Sequence, residues 1–174
     1  MLIILEGLDL SGKSYIAEQL LKQLPDCYYI KHGNRPVDSS IDGIIKIQET
    51  YSNMLHMWRS IATSYRNMIF DRFFPSEMVY SQVKRGYDAF HDPFYEHIQD
   101  MLIAADYRVL IVYIHTHKEE LVKRFELRGD DYMDLDDIDK LLARYNVFLA
   151  STRLPVCHIQ SGTPIDTIME KINK

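Results

Sequence analysis

The feature that most constrains this chain is how its first 25 residues run together. Leu2-Ile3-Ile4-Leu5 is a continuous apolar run, the pattern of a strand buried on both faces. Gly7-Leu8-Asp9-Leu10-Ser11-Gly12-Lys13-Ser14 follows, and then a helical stripe of Ile16, Leu20 and Leu24 that Pro25 ends. A buried strand that turns through glycines straight into an amphipathic helix begins a βαβ unit. Such a unit commits the chain to a parallel sheet with helices on its faces.

The rest of the chain repeats the alternation. Cys27-Tyr28-Tyr29-Ile30 reads as a second strand, and Ile44, Ile47, Tyr51, Met54, Trp58, Ile61 and Tyr65 mark a long amphipathic helix. Met68-Ile69-Phe70 is a third strand stopping at Asp71. Asp92-Pro93 gives an N-cap and a first-turn proline to a helix through Ile98, Met101 and Ala105. Val109 to Ile114 is a fourth strand, and Thr116-His117-Lys118-Glu119 has the capping-box pattern for the next helix. Asp136 to Ala150 is helical, Val156 to Ile159 is a fifth strand, and Thr163-Pro164 opens the last helix. The expected fold is a three-layer α/β P-loop fold, a five-stranded parallel sheet with helices on both faces. At about 100–200 residues per domain, residues 1–174 make one domain.

Composition narrows the classes. Hydrophobic residues at 47% and charged residues at 26% are those of an ordinary globular chain and argue against disorder. Twenty basic against 25 acidic side chains, net −5, disfavour a nucleic-acid binder. No run of about 18 apolar residues marks a membrane span. The N-terminus lacks a basic signal-peptide flank, and Cys27 and Cys157 read as unpaired thiols, so the expected setting is cytoplasmic.

The segment Gly7 to Ser14 fits G-x-x-x-x-G-K-[ST] in the strand-to-helix context that the motif requires. Its glycines let successive backbone N–H groups of Leu10, Ser11 and Gly12 converge on phosphate oxygens, and the helix N-terminus adds positive charge. Lys13, expected exposed on the loop, supplies a full charge to the phosphates of ATP, and Ser14 a hydroxyl to Mg²⁺. Asp71, at a strand end beside this loop, is the natural carboxylate for hydrated Mg²⁺. Ligands of such sheets bind beyond the carboxyl ends of the strands, which points at Gly7, Arg35, Asp71 and His115. Asp9 lies inside the loop, where it repels phosphate. A hydroxyl on a second substrate suits it better. His115-Thr116-His117 has no acid or thiol at ligand spacing, and the acids from Asp130 to Asp139 lack a calcium-loop pattern and read as a solvated helix start.

Together these motifs make the chain resemble the thymidylate kinases among the P-loop nucleoside monophosphate kinases. Leu5-Glu6-Gly7-Leu8-Asp9 with Ser11-Gly12-Lys13-Ser14 carries the resemblance. So do Asp71-Arg72-Phe73 with Ser76 and Tyr80, Glu119 to Arg124 with Leu127-Arg128-Gly129, and Arg144-Tyr145. The resemblance implies transfer of the γ-phosphate of ATP to the 5′-phosphate of a deoxynucleoside monophosphate, dTMP or a related, modified pyrimidine nucleotide. It implies that Asp9 accepts from the sugar hydroxyl, that Arg72 and Arg35 hold the acceptor phosphate, and that Arg124 and Arg128 clamp the transferring group from a short lid around 124–135. Ser76 and Tyr80, with Tyr51 and Arg59 on the long helix, would face the acceptor. The same helix is a candidate homodimer interface.

The chain departs from that family in having Leu10 in the loop and an acidic lid, Asp130-Asp131-Tyr132-Met133-Asp134. Two other readings stay open. One is a deoxynucleoside kinase, against which the stretch Lys31 to Arg35 offers an arginine and no acid. The other is a non-enzymatic NTP-binding module.

Overall fold

The computed structural model describes residues 1–32, 40–130 and 132–173. Five strands, β1 (Leu2–Glu6), β2 (Cys27–Lys31), β3 (Asn67–Asp71), β4 (Val109–His115) and β5 (Val156–Gln160), form one parallel sheet in the order β2-β3-β1-β4-β5. The expected α/β architecture is what the chain adopts. All five residues of β1 are buried, as the apolar run requires of a central strand. Registers Leu5↔Asp71 and Glu6↔Tyr113 align the carboxyl ends of β1, β3 and β4 at one edge. Strand order reverses beside β1, so the crevice of an open α/β sheet opens at that edge.

The helices are α1 (Lys13–Gln23), α2 (Ile41–Ile61), α3 (Phe74–Tyr80), α4 (Pro93–Ile103), α5 (Lys118–Arg128), α6 (Ile138–Ser151) and α7 (Ile165–Ile172). They split the core into two layers. One holds the aromatic residues Tyr51, Trp58, Phe70, Phe73, Phe74, Tyr95, Tyr145 and Phe148 with α2, α3, α4 and α6. The other packs Ile16, Ala17 and Leu20 of α1 with Ile168 and Ile172 of α7 on the opposite sheet face. Each fully buried Leu, Ile or Phe contributes about 1.5–3 kcal/mol, which makes the aromatic layer the heavier one.

Local signals were realised with two exceptions. Asp92 caps α4 through Phe94 N at 2.9 Å, as its Asp-Pro pair implies. The capping box expected at Thr116 does not form. His117 is the N-cap of α5 without a side-chain cap, and Thr116 Oγ1 instead donates to the Ser11 carbonyl at 3.4 Å. A capping box does form one loop later, between Asp134 and Asp137 ahead of α6. No periodicity marks a helix between Asp71 and Asp92, yet α3 starts at Phe74 with Pro75 in its first turn and continues as a π-helical turn, Ser81–Arg85. All seven of its residues are buried, polar Ser76 and Glu77 included, so no amphipathic period betrays it.

Candidate active site

The loop between β1 and α1 is shaped by where it cannot carry side chains. Gly7 has φ +146°, and a Cβ there would stand 2.7 Å from the Ile114 carbonyl oxygen. Gly12 caps α1 at φ +95°, and Leu10 sits at φ +64°. Lys13 is buried, not exposed as the sequence suggests. Its Nζ folds back to donate to Gly7 O at 2.9 Å and Leu8 O at 2.6 Å. Burial, followed by the nearby Arg72 guanidinium, pulls its pKa down to about 7, while Asp9, Asp71 and Glu6 act in the opposite direction.

Ser14 Oγ donates to Asp71 Oδ2 at 3.2 Å, and the Tyr29 hydroxyl donates to the same oxygen at 3.1 Å. The two residues expected at magnesium are therefore in contact. A hydroxyl and a carboxylate side by side are the hard oxygen donors that this ion takes.

Across the cleft, side chains build the second half. Asp9 Oδ1 accepts from Arg72 Nη2 at 2.5 Å, and Asp9 Oδ2 accepts from the Tyr80 hydroxyl at 2.9 Å. Arg72 Nη1 donates to Ser76 Oγ at 2.8 Å, and Ser76 Oγ donates to Glu6 Oε2 at 2.7 Å. Glu6 also accepts from Phe73 N at 3.0 Å and the Tyr145 hydroxyl at 2.9 Å. Arg72 adopts φ +72°, a left-handed backbone for a residue with a long side chain, and the surrounding network holds it there. Burial raises the Glu6 pKa against the pull of Arg72 and its hydrogen bonds. For Asp9 burial pushes the same way, but Arg72 and Lys13 win and hold its carboxyl below the usual range.

These halves share an open cleft of about 480 Å³, lined by Asp9, Lys13, Ser14, His32, Asp71 and Arg72 among others, with Arg124 and Arg128 on its far wall. Arg124 Nη1 donates to Leu10 O at 2.8 Å and Nη2 to Ser161 Oγ at 3.0 Å, so it braces the loop. Arg128 is exposed at the rim.

Gly7, Asp9, Leu10, Ser11, Gly12, Lys13, Ser14, Asp71, Arg72, Tyr80, Arg124 and Arg128 thus gather at or around one cleft. Ser76 is wholly buried behind Arg72. Arg35 lies outside the described residues. Tyr51 is a correction: its ring is fully buried against His32, Phe73 and Tyr95, because its position on α2 faces the core. Arg59 is another. It is exposed in the last turn of α2, and that helix runs away from the cleft toward the start of β3. The acidic lid is not simply solvated, since Lys84 pairs with both Asp134 (3.0 Å) and Asp137.

The sequence reading assigned no role to Glu6, Tyr29, His32 or Tyr145. A lone glutamate closing an apolar strand was the available signal for Glu6. Tyr145 stands in the Arg144-Tyr145 pair that carries the resemblance but with no role attached, and nothing local marks Tyr29, whose partner is distant in the chain.

A family model for chloramphenicol phosphotransferase-like proteins matches residues 1–147. The chain belongs to the chloramphenicol phosphotransferase-like family. It is 30% identical over 153 residues to the SPbeta prophage-derived protein YorR of Bacillus subtilis (strain 168), covering 88% of this chain and 84% of that protein. The crystal structure of YorR in complex with phosphorylated GDP matches with a TM-score of 0.74 at 27% identity, over 99% of this chain and 94% of that one. Deoxyadenosine kinase from M. mycoides with bound dATP matches at 0.66 and 18% identity over 100% of both chains. Thymidylate kinase from Candida albicans matches at 0.59 and 21% identity, over 98% and 88%. The last two share the fold. The family shown is the phosphotransferase-like one, and thymidylate kinase stands beside it as a structural neighbour.

Proposed function

We propose that this phosphotransferase-like chain carries the γ-phosphate of ATP to the 5′-phosphate of a deoxynucleoside monophosphate, releasing a diphosphate. The observation that carries the reading is that one cleft is lined by two built groups: Lys13, Ser14 and Asp71, and then Asp9 and Arg72, with Tyr80 buried behind Asp9. The P-loop backbone from Gly7 to Gly12 and the α1 N-terminus cradle the donor phosphates. Lys13 adds charge where charge develops in the transition state. Ser14 and Asp71 would hold Mg²⁺, which neutralises the bridging phosphate oxygens when bound. Asp9 accepts from the sugar hydroxyl. Arg72, with Arg35, holds the acceptor phosphate, and Arg124 and Arg128 approach the transferring group from a lid over 124–135 of a single kinase domain. The complex of YorR with phosphorylated GDP supports a nucleotide ligand for this family member.

dTMP, the acceptor that the resemblance implies, has lost its two expected contacts on α2, Tyr51 and Arg59. That leaves the base open, and the acceptor proposed is a deoxynucleoside monophosphate, with dTMP and its modified relatives among those to try. A deoxynucleoside is the second reading. One observation favours it: the Arg72 guanidinium is already committed to Asp9, Ser76 and Tyr80. A cytoplasmic setting and a homodimer through α2, whose Ile41 and Ile45 are exposed, belong to the same proposal. Among the described residues no helix is long and apolar enough to cross a membrane.

The test is to incubate the chain with ATP, Mg²⁺ and each deoxynucleoside or its monophosphate. Formation of a diphosphate is the expected result. Phosphorylation of the bare nucleosides alone would replace the reading with the second one, and no transfer to either would overturn both.

A further inference from the structure

Behind the acceptor half lies a second charged group that the proposed reaction does not use. Glu77, on α3 one turn before Tyr80, is fully buried and pairs with Arg85 of the π-helical turn. The Tyr87 hydroxyl donates to its other oxygen. Arg85 Nη1 donates to the Tyr132 hydroxyl at 2.8 Å, and the Tyr132 ring stacks on Tyr80 with centroids 5.9 Å apart and planes at 22°. Tyr80 in turn holds Asp9, where the acceptor sugar is expected. Burying an ion pair is costly, and hydrophobic residues of the same volume stabilise a core as well or better. A pair kept there for packing alone would also be saturated with partners. This one is not. Arg85 Nε and the Tyr51 hydroxyl are buried and have no hydrogen-bond partner among the described residues. The Tyr51 hydroxyl feels both charges: burial and then Glu77 push its pKa well up, and Arg85 acts in the opposite direction. A carboxylate has about four lone-pair sites and a guanidinium five N–H donors, so both retain unused capacity. The π-helical turn that swings Arg85 back over Glu77 is a rare element that is frequent at functional sites.

We propose that Glu77 and Arg85 read the base of the acceptor nucleotide, with Tyr80 as the stacking face, and that the edge they fit is guanine's. This rests on the reading that places an acceptor nucleotide at Asp9. Glu77 and Tyr80 stand at i and i+3 on one helix and so share a face, which puts a base attached to that sugar beside the pair. Tyr132, a planar ring with a polar edge, already makes the two contacts such a base would make, one on Tyr80 and one on Arg85, so the base would take them by displacing that ring. A carboxylate takes two adjacent N–H donors, and a guanidinium donates to an adjacent carbonyl. Guanine alone among the four bases offers that sequence on one edge: the 2-amino group, N1–H and O6. Thymine and adenine satisfy the pair through two contacts at most, and cytosine, with one donor, leaves the second carboxylate oxygen unused and reaches three only if the guanidinium donates to both N3 and O2.

The test is equilibrium binding of the four deoxynucleoside monophosphates, and of deoxyinosine monophosphate, to the wild-type chain by calorimetry, without ATP. The expected result is dGMP at least about tenfold tighter than the other three bases, with a loss of about tenfold when the 2-amino group is absent in deoxyinosine monophosphate. In a folded Glu77→Gln variant, dGMP falls to the level of the others while their affinities hold. Equal affinities in the wild type, a deoxyinosine compound as tight as dGMP, or no binding of any of the five overturns the proposal. The deoxyinosine comparison needs no variant, so it decides even if Glu77→Gln fails to fold. Guanine-selective binding with no phosphate transfer in the parallel assay would remove the kinase reading and leave the base site standing.

Discussion

The two walls of the cleft are made in opposite ways. The donor wall is largely backbone: the residues from Gly7 to Ser14 bend so that amides converge, Lys13 is held by its own loop's carbonyls, and Asp71 stands against Ser14. The acceptor wall is side chain throughout. Asp9, Arg72, Ser76, Glu6 and Tyr145 link hand to hand from three separate stretches of sequence. A backbone site binds what all nucleotides share, their phosphates. A side-chain network binds what distinguishes one acceptor from another. The first tolerates exchange of most of its side chains, and the second fails when any member leaves a buried partner unpaired.

The largest expected effect breaks the donor wall alone. Lys13→Ala should lower the transfer rate by about 10²–10³-fold, the loss typical of one preorganised donor to a transition-state charge. Because Lys13 is buried, its removal also lifts a desolvation penalty, so thermal unfolding should move upward or stay unchanged. A drop in melting temperature, or near-normal turnover, would show that the lysine is structural.

Asp9→Asn probes the acceptor wall alone. Its two short hydrogen bonds are charge-assisted, and losing that assistance costs about 1.5–3 kcal/mol, roughly a 10–100-fold rise in the Michaelis constant for the acceptor. The constant for ATP should stay within about threefold of wild type. A change confined to ATP would move Asp9 to the donor wall.

Arg72→Lys sharpens the difference between an acceptor with a phosphate and one without. Lysine keeps the charge and loses the planar fork that spans Asp9 and Ser76. Turnover on a monophosphate should fall about tenfold, or 1.4 kcal/mol. If a bare nucleoside is the better substrate and the variant is nearly silent on it, the acceptor carries no phosphate.

The smallest effect is one of pH, and it belongs to the donor wall. With the Lys13 pKa near 7 instead of its ordinary 10.5, binding a polyanion beside it draws a proton onto the amine. Donor affinity should therefore fall by up to about tenfold per pH unit above 7, with proton uptake visible as a buffer-dependent binding heat. The fold shows the same group with its own sign. Between pH 7 and 10.5 the unfolded chain holds a proton that the folded chain lacks, so this lysine makes stability rise with pH across that window, and Lys13→Ala removes the slope.

The contrast between the walls also explains what could be read in advance. The parallel sheet and the donor loop were legible because each is written in contiguous residues: apolar runs, a spaced pair of glycines, a lysine before a serine. The acceptor wall was legible only in part. Asp9, Arg72 and Tyr80 were found through their motifs, but Glu6, Tyr145 and the Glu77–Arg85 pair were not, since their meaning depends on partners brought by the sheet from elsewhere in the chain. Tyr51 and Arg59 failed for a related reason. Helical spacing says which residues share a face, but the crossing of α2 over the sheet decides which end of that face meets the cleft.

The unequal core layers have a consequence for where the chain opens first. Beneath α1 and α7 the sheet carries aliphatic residues, and none of the buried residues described in that layer is aromatic. Yet α1 is the helix whose first turn would grip the phosphates. Local opening concentrates where buried apolar contact is least, so amide exchange should be fastest in α7 and spread next to α1, while α3 and α6 stay protected. A bound nucleotide then does more than occupy a site: it is the fastening that ties the thinner layer to the sheet, and the turnover cycle itself alternately secures and loosens one side of the molecule.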